Sequence, residues 1–91
     1  MEQQINIKFD DQGARGAYSN NLVVQHTKEE FVLDFLNIFP PQGQLVSRII
    51  TSPGHFKRII NALEENLKLY EKNFGKIEEA KGPNHSIGFK I

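Results

Sequence analysis

The sequence predicts an α+β fold, in which an antiparallel sheet of about three to five strands precedes one long C-terminal helix. Two patterns lead to this expectation. In the first half of the chain, apolar residues alternate with polar ones over short segments, which is the period of a half-buried strand. After residue 52 the apolar residues recur at steps of three and four, which is the period of a helix that packs along one face.

The first strands are predicted from alternation and from β-branched residues. The alternating apolar residues nearest the N-terminus are Ile5, Ile7 and Phe9. We expect a strand there with one buried face, followed by a turn over residues 10–13, where Asp and Gly are typical turn residues. A second strand is expected over 17–26, and its polar pair Asn20–Asn21 indicates a bulge or an exposed edge.

The segment 27–39 fits either a strand or a helix. Thr27 followed by Glu30 matches a capping box, which favours a helix. The apolar residues that alternate in it are Phe31, Leu33 and Phe35. This alternation favours a strand, which is the interpretation that we prefer, with Lys28–Glu29 as the turn before it.

The next boundaries are marked by proline and glycine. A loop is predicted over Pro40–Gly43, and a further strand is predicted over 45–51. Ser52 is expected to begin the long helix, because its side-chain oxygen can accept from an N–H group of the first turn. Pro53 suits the first helical position, where its missing N–H is not needed, and Gly75 is expected to end the helix in a left-handed conformation.

The apolar residues of this helix occupy the a and d positions of a heptad repeat. They are Phe56, Ile60, Leu63, Leu67, Tyr70 and Phe74. Ile59 lies beside them and widens the apolar face beyond a narrow stripe. Such a face can pack on the chain's own sheet, or it can also meet a second helix. We expect the latter, and therefore predict a homo-oligomer, with a dimer favoured, whose interface contains these six residues.

The expected domain organisation is one α+β domain over residues 1–75 and a tail over 76–91. The tail is polar and contains Gly82–Pro83, so we expect it to be mobile. Its last apolar residues alternate at Ile87, Phe89 and Ile91. This alternation favours a short added strand over 86–91, on this chain's own sheet or on a neighbour's.

Charge and composition argue against several classes of protein. Eleven basic and eleven acidic side chains cancel, so no net field draws the molecule to nucleic acid or to an anionic membrane. The chain has no cysteine and therefore no disulfide and no thiolate zinc site. Its polar start does not resemble a signal peptide, and no apolar run approaches the ~20 residues that cross a bilayer. We expect a cytoplasmic protein that has no membrane partner.

No motif for catalysis or metal binding stands out. The three histidines, His26, His55 and His85, lie far apart in the sequence, and no two of them share a helix face. None of the serines stands in a Gly-x-Ser-x-Gly setting. The acidic pairs at 10–11 and 29–30 fall at predicted turns or strand edges, where solvation is more common than a tuned pKa. We expect a protein that is not an enzyme and holds neither a metal nor a cofactor.

The start of the long helix is the alternative candidate site. A helix N-terminus presents unpaired N–H groups and a positive potential, which together attract anions. The small and basic residues around it are Ser52, Gly54, His55, Lys57 and Arg58. They can hold a phosphate or a carboxylate, although the glycine pattern of a phosphate-binding loop is missing. A solvated helix start is the simpler interpretation.

Several stretches of the chain resemble a known family. They are Tyr18–Asn21, His26–Phe35, Arg48–His55, Ala62–Leu67, Tyr70–Glu71 and Phe74–Gly75. In these stretches the chain resembles the small prokaryotic family of unknown function numbered three-four-six-seven. The resemblance covers about residues 5–75 and is most specific over 51–75. It implies a few antiparallel strands followed by one long helix, and it implies no activity and no catalytic residues.

The function that these observations favour is a non-enzymatic, oligomeric protein-interaction module. We expect it to bind an unidentified protein through its sheet edge or its tail. The alternative is an accessory protein that binds nucleic acid or another anion at the helix start, Ser52–Arg58. Nucleic acid is the less favoured partner, because basic residues do not cluster in the sequence.

Overall fold

A computed structural model describes residues 2–80 and Gly88. Its elements are α1 (Asp11–Arg15), β1 (Asn21–His26), β2 (Phe31–Phe39), β3 (Gln42–Thr51) and α2 (Pro53–Phe74). The strands form one antiparallel sheet in the order β1-β2-β3, and α2 follows the last strand. The predicted α+β class, with a sheet before one long helix, is confirmed. The strand predicted over 86–91 lies outside the described residues, apart from Gly88.

β1 and β2 form a hairpin that is closed by a turn over residues 27–30. The Thr27 N–H donates to the Glu30 carbonyl at 2.9 Å. The Thr27 hydroxyl oxygen accepts from the Glu29 N–H at 3.2 Å. The side chain that suggested a helix cap therefore closes a hairpin turn, because Ser and Thr hydroxyls stabilise both. Of the two interpretations of 27–39, the strand is confirmed.

Asn20 explains why β1 begins at Asn21 rather than at Ala17. Its side-chain amide donates to the Ile38 carbonyl at 3.0 Å and accepts from the Ile38 N–H at 2.9 Å. The amide group therefore replaces one backbone pair of the ladder and extends the pairing of β2 beyond the end of β1. The polar pair Asn20–Asn21 marks the beginning of the strand instead of a bulge within it.

β2 and β3 are joined by a two-residue turn, Pro40–Pro41, whose peptide bond is cis. Gln42 and Gly43 belong to β3, so the loop is shorter and the strand is longer than predicted. The reason is that Phe39 already pairs with Gln42, which leaves only the two prolines outside the ladder. The register shifts farther along, where Val46 is the extra residue of a β-bulge.

The predicted bounds of the long helix are confirmed at both ends. The Ser52 hydroxyl oxygen accepts from the His55 N–H at 3.2 Å, and Pro53 occupies the first turn. At the other end the Gly75 N–H donates to the Glu71 carbonyl at 2.9 Å. The φ of Gly75 is +97°, as glycine allows, but its ψ of 170° lies outside the left-handed helical region that we predicted.

The region before β1 differs from the prediction. Ile5, Ile7 and Phe9 are exposed and belong to no strand. The predicted turn at 10–13 is instead the start of α1, where the Asp10 carboxylate accepts from the Gly13 N–H. Alternation predicts a strand only if a neighbouring strand supplies hydrogen bonds, and the sheet ends at β1 within the described residues.

Few side chains of the described residues are buried. The buried hydrophobic residues are Leu33 and Leu36, which are 6% and 4% exposed, and Asp34 is 1% exposed. All three lie in β2, the central strand, whereas α2 has no buried residue. Within residues 2–80, the sheet and α2 therefore do not enclose a common core.

Candidate interaction surfaces

The six heptad residues of α2 form an apolar row that the rest of the described chain leaves largely uncovered. We call this row the α2 stripe, and it consists of Phe56, Ile60, Leu63, Leu67, Tyr70 and Phe74. Phe56 is partly buried, while exposure of the other five ranges from 41% at Ile60 to 76% at Phe74. An exposed apolar row of this length is typical of a helix that packs against another surface.

α2 is attached to the sheet by aromatic stacking near its first turn. The rings of Phe56 and Phe31 are nearly parallel, with an interplanar angle of 4° and centroids 4.0 Å apart. The ring of His26, in β1, also contacts Phe31, and the centroids of these two rings are 5.3 Å apart. Aromatic pairs at these distances stabilise a contact beyond the area they bury. The attachment fixes where α2 begins, while the stripe beyond Ile60 stays exposed.

The sheet face that carries Phe31 is uncharged and has apolar residues on all three strands. We call it the Phe31 face. The pairing of strands places Val24 and Ile49 on either side of Leu33, and Leu22 beside Phe35. Side chains alternate between the faces of a strand, and the bulge at Val46 shifts this alternation in β3. The remaining members of this face are His26, Asn37, Phe39, Gln42, Gln44, Ser47 and Thr51. The Phe31 face thus contains no Asp, Glu, Lys or Arg.

The Phe31 face is covered unevenly. Leu33 in the central strand is buried, whereas Leu22, Val24 and Ile49 in the outer strands are between 42% and 49% exposed. A sheet with one apolar face is normally covered by a helix or by a second sheet. This face is therefore a second apolar surface that the described part of the chain covers only in part.

The opposite face of the sheet carries a bidentate ion pair. The Arg48 Nε and Nη2 groups donate to the two carboxylate oxygens of Asp34 at 2.7 Å and 2.9 Å. These residues pair directly across β2 and β3. The Asp34 side chain is 2% exposed and that of Arg48 is 50% exposed. The guanidinium group therefore covers the carboxylate and keeps contact with solvent, as its planar fork allows.

Arg48 lowers the pKa of Asp34 below its ordinary value. The largest cause is the hydrogen bonding from Arg48, burial acts in the opposite direction, and the positive charge of Arg48 lowers the pKa further. The same hydrogen bonds raise the pKa of Arg48. Sequence reasoning missed this pair. The available signal was an Asp within an otherwise apolar strand segment, since a buried carboxylate requires a partner.

The proposed anion site at the start of α2 is more open than the sequence suggested. The Ser52 oxygen is engaged by the His55 N–H. A side chain added at Gly54 would meet no atom within 4 Å, so the backbone there faces open space. Lys57 and Arg58 are exposed. Anion binding at these residues stays a hypothesis.

Other classes of site were sought among the described residues. The segment before β1 and part of β1 line an open depression with Phe35, which is not an enclosed cavity. Within the described ranges, no three His, Asp or Glu residues converge as metal ligands do. No helix in the described part of the chain is long and apolar enough to cross a bilayer.

Comparison with known protein families gives a match over residues 1–79, to the family described as "Protein of unknown function (DUF3467)". This chain belongs to the DUF3467 family. The matched region contains the whole sheet and α2, so the resemblance seen in residues 5–75 is confirmed and extended. Comparisons of this DUF3467 protein with curated proteins and with solved structures give no significant match.

Proposed function

We propose that this DUF3467 protein is a small cytoplasmic homo-oligomer that acts as a non-enzymatic protein-interaction module. The observation that carries the proposal is the α2 stripe. α2 has 22 residues and none of them is buried. Most of the helical stability of proteins comes from packing of an apolar face, so a helix whose apolar face is mostly exposed needs a second surface.

The energetic argument favours a partner. Burying a large apolar side chain stabilises a fold by roughly 1.5–3 kcal/mol relative to leaving it in water. Leu63, Leu67 and Tyr70 are each about half exposed or more, so several such contributions are still available to an assembly. The chain has no net charge, so two copies approach each other without long-range repulsion.

Binding of a further protein is proposed at the edges of the sheet. Within the described residues, β1 and β3 are the outer strands, and no other strand pairs with their outer edges. An edge strand presents N–H and C=O groups that an extended segment can pair with. β3 offers the longer edge, with 10 residues.

The first experiment is the molar mass in solution, measured by light scattering after size exclusion over a range of protein concentrations. We expect a multiple of 10.4 kDa for the wild-type chain. Leu67→Asp is expected to shift the equilibrium to the monomer, because it places a charge in the apolar interface. A wild-type protein that remains monomeric at every concentration would overturn the proposal.

The matched control is Asn61→Asp. It also adds one negative charge to an exposed position of α2, but on the helix surface about 120° from Leu67. The control should keep the wild-type mass. Equal dissociation of both variants would mean that charge alone, and not the α2 stripe, governs assembly.

A further inference from the structure

We infer that α2 of each protomer packs on the Phe31 face of a second copy, so that two chains exchange their helices. The inference depends on the proposed oligomer and adds which surfaces meet within it. It gives a partner both to the α2 stripe and to the Phe31 face, which the described residues leave partly exposed.

The two surfaces have matching chemistry. The α2 stripe is apolar along its length, and the Phe31 face contains no Asp, Glu, Lys or Arg. Within one chain they are joined at the Phe31–Phe56 stack, and beyond it the stripe leaves the sheet. A second copy brings an identical stripe to the face that the described part of the first chain leaves partly exposed, and receives the first stripe in return.

The dimensions of the two surfaces agree. The stripe from Phe56 to Phe74 is roughly 27 Å long at the helical rise of about 1.5 Å per residue. β3, with 10 residues, is roughly 33 Å long at about 3.3 Å per residue. Three strands at about 4.8 Å spacing lie within roughly 10 Å of one another, which is close to the diameter of one helix. One helix therefore covers one such face.

Both surfaces offer exposed apolar side chains to a dimer interface. From Ile60 to Phe74 the members of the α2 stripe are between 41% and 76% exposed, and Leu22, Val24 and Ile49 of the Phe31 face are between 42% and 49% exposed. A stable interface of standard size needs about 800 Å² from each partner. Apolar area that the described part of the chain leaves in water is thus available on both sides of the proposed contact.

Pairing of α2 with a second α2 explains less. In a parallel coiled coil, complementary charges at the e and g positions flank the apolar seam. Here the three g positions are the uncharged residues Ile59, Asn66 and Asn73. No e–g′ salt bridge can form with them. Pairing of helices alone would also leave the Phe31 face exposed.

The test uses engineered cysteines, since the chain has none of its own. The double variant Val24→Cys, Leu67→Cys places one thiol on the Phe31 face and one on the α2 stripe, both at partly exposed positions. A second double variant combines Ile49→Cys with Leu67→Cys. Ile49 lies in β3, which borders the Phe31 face along the edge away from β1, so this variant tests a helix that lies nearer to β3. Each is treated with a short thiol-reactive crosslinker, and the linked peptides are identified by mass spectrometry.

We expect at least one double variant to become a covalent dimer whose linkage joins the sheet peptide to the α2 peptide. The single variants Val24→Cys and Leu67→Cys should stay unlinked. The matched control replaces Leu67→Cys by Lys72→Cys, which lies about 140° around the helix from the stripe and should not link to the sheet.

The other outcomes overturn the inference in distinguishable ways. Dimers of the single variant Leu67→Cys would show that α2 pairs with α2. A linkage within one chain would show that α2 folds onto its own sheet. An oligomer by light scattering without any helix-to-sheet linkage would reject helix exchange and leave the proposed function standing. A monomer by light scattering would reject the proposed function itself.

Discussion

At the scale of single residues, the Asp34–Arg48 pair is the feature of the fold that depends most on exact pairing. A carboxylate that is 1% exposed must be matched by charge and hydrogen bonds, because an unpaired buried charge is strongly destabilising. Arg48 supplies both to the two oxygens of Asp34. The pair therefore fixes the register between β2 and β3 on the face opposite Phe31, since a shift by one residue would separate the two charges.

This pair predicts a dependence of stability on acid. The pKa of Asp34 is lower in the folded chain than its unfolded value of about 3.9, so its contribution is complete above that pH. The contribution is lost as the pH falls through the lowered folded value. We expect the unfolding free energy of the wild type to fall below about pH 4, and part of that fall to be missing in Asp34→Asn.

The measurement is urea unfolding at a series of pH values. At neutral pH, Asp34→Asn should be less stable than the wild type, because Arg48 loses its charged partner. Asp11→Asn serves as the control, since Asp11 is exposed in the short helix α1. If Asp34→Asn kept both the neutral stability and the acid response of the wild type, the assignment of this role would be wrong.

At the scale of elements, α2 is defined by local chemistry at its ends. Ser52 accepts from the His55 N–H, and Gly75 adopts a positive φ that other residues rarely adopt. The hairpin turn at 27–30 is also local, because Thr27 makes its hydrogen bonds within three residues. Such signals act over one turn of chain, so they place the boundaries of elements without specifying what covers them.

The helix cap gives a prediction for Ser52→Ala. We expect this change to lower the unfolding free energy by about 1 kcal/mol, because the His55 N–H loses its acceptor at the start of α2. Chemical unfolding at a fixed protein concentration measures the difference. The conservative variant Ser52→Asp keeps an acceptor at the same position and should retain wild-type stability. Equal losses in both variants would show that the cap is not the cause.

At the scale of the whole molecule, the α2 stripe and the Phe31 face meet at the Phe31–Phe56 stack, and the described part of the chain leaves most of the stripe beyond it exposed. The described chain buries Leu33 and Leu36 of the sheet but no residue of α2. A three-stranded sheet needs packing on an apolar face for independent stability. Assembly and folding are therefore expected to be linked, so that the stability of the protein depends on its concentration.

This linkage predicts that the melting temperature rises with protein concentration. Leu67 is 46% exposed within one chain, so the main effect of Leu67→Asp should come through the interface and not through the fold of a single protomer. We expect Leu67→Asp to lower the melting temperature and to remove its concentration dependence. Thermal unfolding followed by circular dichroism over a hundredfold range of concentration tests this. A melting temperature that is independent of concentration in the wild type would contradict it.

Much of the fold could be predicted from residue patterns. The strand over Phe31–Phe39, the proline turn and both ends of α2 follow from alternation, proline geometry and capping. The same alternation failed at Ile5, Ile7 and Phe9, which are exposed and belong to no strand. A strand needs hydrogen bonds from a neighbour, and sequence alternation carries no information about whether a neighbour is present.

Residue patterns were thus enough to predict the types of β1, β2, β3 and α2, the bounds of α2 and the family to which the chain belongs. The folded chain was needed to show that its described residues leave most of the α2 stripe and part of the Phe31 face exposed, and that Asp34 and Arg48 meet across two strands. The difference arises from the sequence separation over which each interaction acts. Capping, turn geometry and periodicity depend on residues a few positions apart, whereas burial and ion pairing depend on residues that chain folding brings together.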